Sequence, residues 1–110
     1  MEIRAAGSIL PALARATGLP AFAYEGPNAV KIGEVPGVWA RNLLANRLYE
    51  CPVVFLEPYV ANSKEVFARI QVGDYKGVKK VAGKPRVSLI EEYVDADVAG
   101  LVGHASSHAR

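Results

Sequence analysis

Glu57 is the residue whose type and position best suit catalysis. It directly follows residues 53–56, a continuous apolar run with β-branched and aromatic side chains, which predicts a strand buried on both faces. Pro58 comes next and cannot donate a hydrogen bond to a sheet, so we expect the backbone to leave the sheet there. A carboxylate at such a strand end can face a ligand in the crevice beyond the sheet. The alternative is an ordinary surface glutamate at the end of a strand.

Other side chains with chemical potential have simpler interpretations. Cys51 is the single cysteine, which excludes an intrachain disulfide, and without an activating base we interpret it as a small buried thiol. Trp39 is predicted to be a packing anchor. His104 and His108 could bind a metal from one face of a helix, but the small polar residues between them favour a flexible tail over residues 104–110.

The segment from 74 to 86 is rich in basic residues. Its lysines and arginine stand among glycines and one proline, with Tyr75 as the one aromatic residue. Polyanion-binding surfaces usually combine basic and aromatic side chains. We therefore interpret this segment as an exposed loop rather than as a polyanion-binding surface. Its basic positions are Lys76, Lys79, Lys80, Lys84 and Arg86.

Composition indicates one globular domain. The chain has 110 residues, of which 51% are hydrophobic and 22% are charged, and its formal net charge is +2. This charge balance does not indicate a nucleic acid or a membrane surface as a partner. We expect no signal peptide, because no basic segment followed by a sustained apolar stretch is seen near Met1. We also expect no membrane span, because no apolar run approaches about 20 residues. We assign residues 1–103 to the domain.

Helix signals surround the predicted strand. Ser8 is a candidate N-cap for a first helix that ends at Gly18, with Pro11 in its first turn. Leucines at helical spacing predict a second helix over residues 38–48. A third helix is predicted from a capping box formed by Asn62 and Glu65, and it ends at Gly73.

The last predicted helix has the clearest pattern. Ser88 and Glu91 have capping-box spacing, and Gly103 is predicted to end the helix. The apolar side chains recur on one face, which we expect to be buried, whereas the acidic residues lie mainly elsewhere and near the positive end of the helix dipole. The predicted buried face contains Ile90, Tyr93, Val94, Val98 and Leu101. These elements together predict an α/β fold with a partial sheet, in which a central buried strand at about 52–57 is flanked by helices.

The stretch from Cys51 to Glu57, the helix opening at 62–65 and the final helix with Gly100 and Leu101 resemble the C-terminal part of the zinc-dependent N-acetylmuramoyl-L-alanine amidases. In that family a proline-led apolar strand ends in a glutamate, and a short loop leads to an asparagine that opens a helix. The similarity is clearest over residues 52–65 and weaker before Arg41.

The resemblance implies a mixed or parallel sheet and a peptidoglycan hydrolase that works at the cell envelope or outside the cell. Glu57 then matches the catalytic glutamate, which takes a proton from water and passes it to the departing amine. The resemblance also implies zinc in the complete domain. Its ligands in the family are two histidines and a glutamate from the earlier half, and this chain has no histidine before His104.

The missing ligands lead us to expect the C-terminal portion of a longer amidase, whose N-terminal half holds the metal. This chain alone is then expected to bind no zinc and to be inactive. Two alternatives remain. The chain can be a small non-catalytic α/β interaction module in which Glu57 has a structural role, or a fragment of a related zinc hydrolase such as a carboxypeptidase-like enzyme or an amidohydrolase.

Overall fold

The computed structural model describes the backbone of residues 1–108 and the side chains of residues 1–107. This part of the chain is a mixed α and β structure with four helices and two separate two-stranded antiparallel sheets. The elements in chain order are α1 (Glu2–Thr17), β1 (Val30–Lys31), β2 (Trp39–Ala40), α2 (Ala45–Leu48), α3 (Lys64–Val72), β3 (Lys79–Val81), β4 (Lys84–Arg86) and α4 (Leu89–His108).

The main core lies between the two long helices, α1 and α4. Ile9 and Leu13 of α1 are buried against Ala96 of α4. Leu56 and Tyr93 are partly buried and pack against this cluster. Residue 56 therefore connects the segment that contains Glu57 to the helical core.

A glycine sets how closely α1 and α4 approach. A Cβ atom built on Gly100 would lie 2.6 Å from the Cα of Ile9, a distance at which one backbone must move. The small residues Ala96 and Gly100 thus turn towards α1. The predicted buried face of α4 is therefore wrong for Ile90, Val94 and Val98, which are exposed. Leu101 is exposed as well, whereas Tyr93 is half-buried against the core.

Gly100→Ala is expected to lower the free energy of unfolding by about 1–3 kcal/mol, because the added methyl group forces the two helices apart. Gly103→Ala is the matched control on the same helix, since nothing lies within 4 Å of its added Cβ. The control should raise the free energy of unfolding by about 0.5–1 kcal/mol through helix propensity. Urea denaturation measures both, and equal effects of the two substitutions would contradict the packing account.

The helices before the site differ from their predictions. α1 begins at Glu2 rather than after Ser8, whose hydroxyl instead donates to the Arg4 carbonyl at 3.2 Å. Pro11 consequently lies inside the helix. The predicted end at Gly18 is confirmed, with that glycine in the left-handed conformation at φ 65°. The helix predicted over 38–48 is wrong in its first part, which forms strand β2 before the short helix α2.

The predicted central strand at 52–57 is not a strand. None of these residues pairs with another strand in the described part of the chain, and Phe55 is 62% exposed. Apolar runs favour strands only when a neighbouring backbone offers hydrogen bonds, and β1 pairs with β2 while β3 pairs with β4. The mixed or parallel sheet implied by the family resemblance is also absent, because both sheets are antiparallel.

The basic segment is a hairpin rather than an irregular loop. Strands β3 and β4 pair in the register Val81↔Lys84. Ala82 and Gly83 between them both have positive φ, 48° and 81°, as a two-residue hairpin turn of type I′ requires.

Helices α3 and α4 have local caps. Ser63, not Asn62, caps α3, because its hydroxyl accepts from the Val66 amide at 3.4 Å. The predicted end of α3 at Gly73 is confirmed. The predicted cap of α4 at Ser88 is also confirmed, since its hydroxyl accepts from the Glu91 amide at 3.1 Å.

The end predicted for α4 at Gly103 is wrong, because the helix continues to His108. The side chain of His108 and residues 109–110, which belong to the predicted tail, lie outside the described residues. Among the described helices, none is long and apolar enough to cross a bilayer.

Candidate functional site

Glu57 lies in a cluster with a tyrosine and an arginine. The Tyr24 hydroxyl donates a hydrogen bond to Oε2 of Glu57, and Nη1 of Arg41 lies 3.5 Å from the same oxygen. Nη1 of Arg41 also donates to the Tyr24 hydroxyl oxygen at 3.1 Å. The Glu57 side chain remains 50% exposed, so one polar group is both oriented by protein donors and open to solvent.

Aromatic rings extend this cluster. Tyr24 makes edge-to-face contacts with Phe22 and Trp39, at centroid distances of 5.3 and 5.6 Å. The guanidinium of Arg41 lies 4.9 Å from the centre of the Tyr24 ring, within the range of a cation–π interaction. Tyr24 thus has three ring contacts in addition to its hydrogen bond to Glu57.

The hydrogen bond to Glu57 raises the pKa of the Tyr24 phenol above its usual range, and partial burial adds to the shift. The nearby positive charge of Arg41 acts in the opposite direction. A phenol with a raised pKa stays protonated at neutral pH, so Tyr24 keeps the proton that it donates to the carboxylate.

A groove of about 1530 Å³ runs past the cluster. Its walls are formed by α1, by strand β2 and the residues beside it, and by segments 19–24 and 53–63, and they are mainly apolar. The cluster around Glu57 supplies polar groups to the wall of the groove. Phe22, Tyr24, Trp39, Arg41 and Glu57 all line it. Mainly apolar walls with a few convergent polar groups are typical of ligand-binding sites.

A buried ion pair holds the segment that follows Glu57. Arg69 of α3 and Glu92 of α4 are 4% and 7% exposed, and they form two hydrogen bonds of 2.9 and 3.0 Å. The Tyr59 hydroxyl donates to Oε1 of Glu92 at 2.9 Å. With Leu56 in the core on the other side, Glu57 lies between two anchors although it belongs to neither a helix nor a strand.

Tyr59 should make stability depend on alkaline pH. Burial first, and then its hydrogen bond to Glu92, raise the pKa of Tyr59 far above the usual value. An unfolded tyrosine ionises near pH 10, so above that pH the unfolded state loses the proton first and the free energy of unfolding falls as pH rises. Tyr59→Phe should make this fall less steep, as measured by urea denaturation at increasing pH. Identical slopes of unfolding free energy against pH in Tyr59→Phe and the wild type would contradict this prediction.

Cys51 and Asn62 differ from their sequence predictions, whereas Trp39 agrees with its own. Cys51 is exposed, so the prediction of a buried thiol is wrong. Trp39 is half-buried and contacts Tyr24, which agrees with a packing role, and it also lines the groove. Asn62 is exposed and does not cap α3.

The residues around Glu57 do not fit a zinc site. Its two polar partners are a phenol and a guanidinium, neither of which is a normal zinc ligand, and the guanidinium would repel a cation. In the described part of the chain, no three His, Cys, Asp or Glu side chains are grouped so that they could hold a metal ion.

Tyr24 and Arg41 were not predicted from the sequence as partners of Glu57. They lie 33 and 16 residues away from it along the chain, and neither has a motif that points to the contact. Comparisons of the chain with protein-family models, curated proteins and solved structures found no match. The geometry of the site therefore has to support any functional assignment.

Proposed function

We propose that this chain is the glutamate-bearing part of a peptidoglycan amidase, which hydrolyses the amide bond between N-acetylmuramic acid and L-alanine. The observation that carries the proposal is the half-exposed Glu57 carboxylate, oriented by Tyr24 and Arg41 at the wall of a large groove. In the reaction, Glu57 takes a proton from the water whose oxygen bonds to the carbonyl carbon. It then gives that proton to the nitrogen as the carbon–nitrogen bond breaks.

The groove suits an extended ligand. Its volume of about 1530 Å³ exceeds the roughly 300–1,000 Å³ of ordinary small-molecule pockets. Phe22 is 52% exposed at the cluster, and aromatic surfaces provide apolar area for the flat faces of sugar rings. The polar groups of a sugar joined to a short peptide would face the polar cluster of Tyr24, Arg41 and Glu57 in these walls.

Arg41 and Tyr24 have defined roles in this proposal. Their donors hold Oε2 of Glu57, which leaves Oε1 of the half-exposed carboxylate for the water. The metal ligands that the family uses would come from residues outside this chain. We therefore derive no step through a metal from the residues described above.

The test is a binding titration with the one tryptophan as reporter. Trp39 is the sole tryptophan and lines the groove, so N-acetylmuramoyl-L-alanyl-D-isoglutamine should change its fluorescence with saturation. Phe22→Ala should weaken binding about tenfold through loss of aromatic contact. Phe67→Ala, an exposed phenylalanine on α3 that does not line the groove, is the matched control and should bind as the wild type does.

A non-catalytic interaction module is the second candidate. It is favoured by the exposed apolar stripe on α4, formed by Ile90, Val94, Val98 and Leu101, each at least 47% exposed. Such stripes often mark contacts with another protein. Glu57 would then be a structural partner of Tyr24 and Arg41. Absence of any fluorescence change with the muropeptide, in a folded protein, would favour this candidate over the amidase.

A further inference from the structure

A second cavity, of about 320 Å³, lies between the end of α1, helix α3 and strand β4. Neither Glu57 nor Arg41 lines it. Its walls carry an unusual concentration of positive charge from three separate elements. The charged lining residues are Arg15, Glu65, Arg69, Lys84 and Arg86.

The charges in this cavity do not balance. Arg69 is neutralised by Glu92 through two short hydrogen bonds. Glu65 is the remaining lining carboxylate, and it accepts both from Lys84 at 2.8 Å and from Arg86. One carboxylate thus faces two cations, and Arg15 adds a third from the end of α1. The excess positive charge matches an anion that carries two negative charges.

Hydrogen-bond donors are also unfilled. The Nε atoms of Arg69 and Arg86 are buried and have no acceptor among the described residues, and both residues line the cavity. Arg69 is 4% exposed, so bulk water does not readily compensate its N–H group. Because these Nε atoms are buried, a ligand in the cavity would instead meet the accessible parts of the Lys84 and Arg86 side chains, which are 59% and 24% exposed.

The C-terminal end of α1 opposes an anion, because the last carbonyl groups of a helix carry partial negative charge. Of those carbonyls, Ala14 O already accepts a hydrogen bond, and so does Leu13 O in the turn before. The Thr17 hydroxyl donates to Leu13 O at 2.8 Å, and the Gly18 amide donates to Ala14 O at 3.0 Å. The remaining partial charge, roughly half an elementary charge at most, is smaller than the excess positive charge of the lining side chains.

We propose that this cavity binds a doubly charged phosphate group, either free or as a monoester, through Arg15, Lys84 and Arg86. Guanidinium groups match the geometry of phosphate oxygens. The excess positive charge of the cavity is balanced better by a phosphate dianion than by a ligand with one carboxylate group. In the absence of ligand, Glu65 acts as the counterion of Lys84 and Arg86. The proposal does not depend on the amidase function, because it uses neither Glu57 nor its partners.

The experiment is a titration with inorganic phosphate, followed by the ¹H–¹⁵N NMR shifts of Gly18, Lys84 and Arg86, in chloride buffer at constant ionic strength. Saturable shifts at these amides are expected. Arg15→Gln should weaken binding about tenfold, the loss of one charge-assisted contact. Arg4→Gln, an exposed arginine on the same helix that does not line the cavity, should bind as the wild type does.

Glu65→Gln gives a test of opposite sign. Removing the competing negative charge should strengthen phosphate binding about tenfold, because Lys84 and Arg86 become available to the ligand. If Glu65 only held Lys84 and Arg86 in place, Glu65→Gln would instead weaken phosphate binding. The spectrum itself shows whether each variant is folded, and the wild-type titration stands without any variant.

Vesicles that contain phosphatidic acid separate the two sources of such a group. Vesicle binding that is lost in Arg15→Gln would support a lipid headgroup, whereas saturation by soluble phosphate without vesicle binding would support a free phosphate ligand. The proposal would be overturned if neither phosphate saturation nor vesicle binding were seen. It would also be overturned if Arg4→Gln weakened binding as much as Arg15→Gln does.

Discussion

Arg69→Met is expected to lower the free energy of unfolding by about 3–5 kcal/mol, because it leaves the Glu92 carboxylate buried without its cation. Both partners are almost fully buried, at 4% and 7% exposure. Arg69 also donates to the carbonyl of Val87 at 3.1 Å, so the substitution removes a link to the chain just before α4. Urea denaturation followed by circular dichroism measures the change.

The double variant Arg69→Met/Glu92→Leu is the informative control for this prediction. Removing both charges avoids the unpaired carboxylate, so most of the lost stability should return. Lys84→Met provides a comparison at an exposed pair with Glu65 and should change stability by less than about 1 kcal/mol. If the double variant were no more stable than Arg69→Met, the loss would come from packing and not from the buried charge.

This ion pair connects stability to the candidate site. Glu92 accepts from Tyr59 as well as from Arg69, and Tyr59 lies two residues beyond Glu57. Leu56 anchors the other side of Glu57 in the core between α1 and α4. The position of the carboxylate therefore depends on both long helices, although no hydrogen bond joins it to them among those described.

Local signals were enough to predict several helix ends. Gly18, Gly73 and Ser88 act through their own backbone conformation or through hydrogen bonds to residues three or four positions away, so the sequence nearby determines them. The presence of both helices and strands could also be predicted. The exact face of α4 could not, because it depends on how closely α1 approaches Gly100.

Long-range partners explain the other differences. A strand at 52–57 would need a neighbouring strand, and local composition does not show whether one exists. Glu57 was chosen as a candidate because it follows the apolar run 53–56, which does not form a strand. Its environment, made by Tyr24 and Arg41, arises from contacts between distant segments, which a single sequence does not reveal.

If the proposed amidase function is correct, Glu57→Gln in the complete enzyme is expected to lower kcat by about 10²–10⁴-fold, the usual contribution of a general acid–base group. Glutamine keeps the size of the side chain and can still accept from Tyr24, but it cannot take a proton from water. The release of L-alanyl-D-isoglutamine from its N-acetylmuramoyl form measures the rate, and the metal content should equal that of the wild type.

Two further variants separate catalysis from orientation. Glu50→Gln removes an exposed carboxylate that does not line the groove, and it should leave kcat unchanged. Tyr24→Phe keeps the ring that contacts Phe22 and Trp39 but removes the donor to Glu57. Its kcat should fall less than that of Glu57→Gln, because the carboxylate is still present but less well oriented. Wild-type turnover in Glu57→Gln would contradict the catalytic role and leave Glu57 as a structural partner of Arg41.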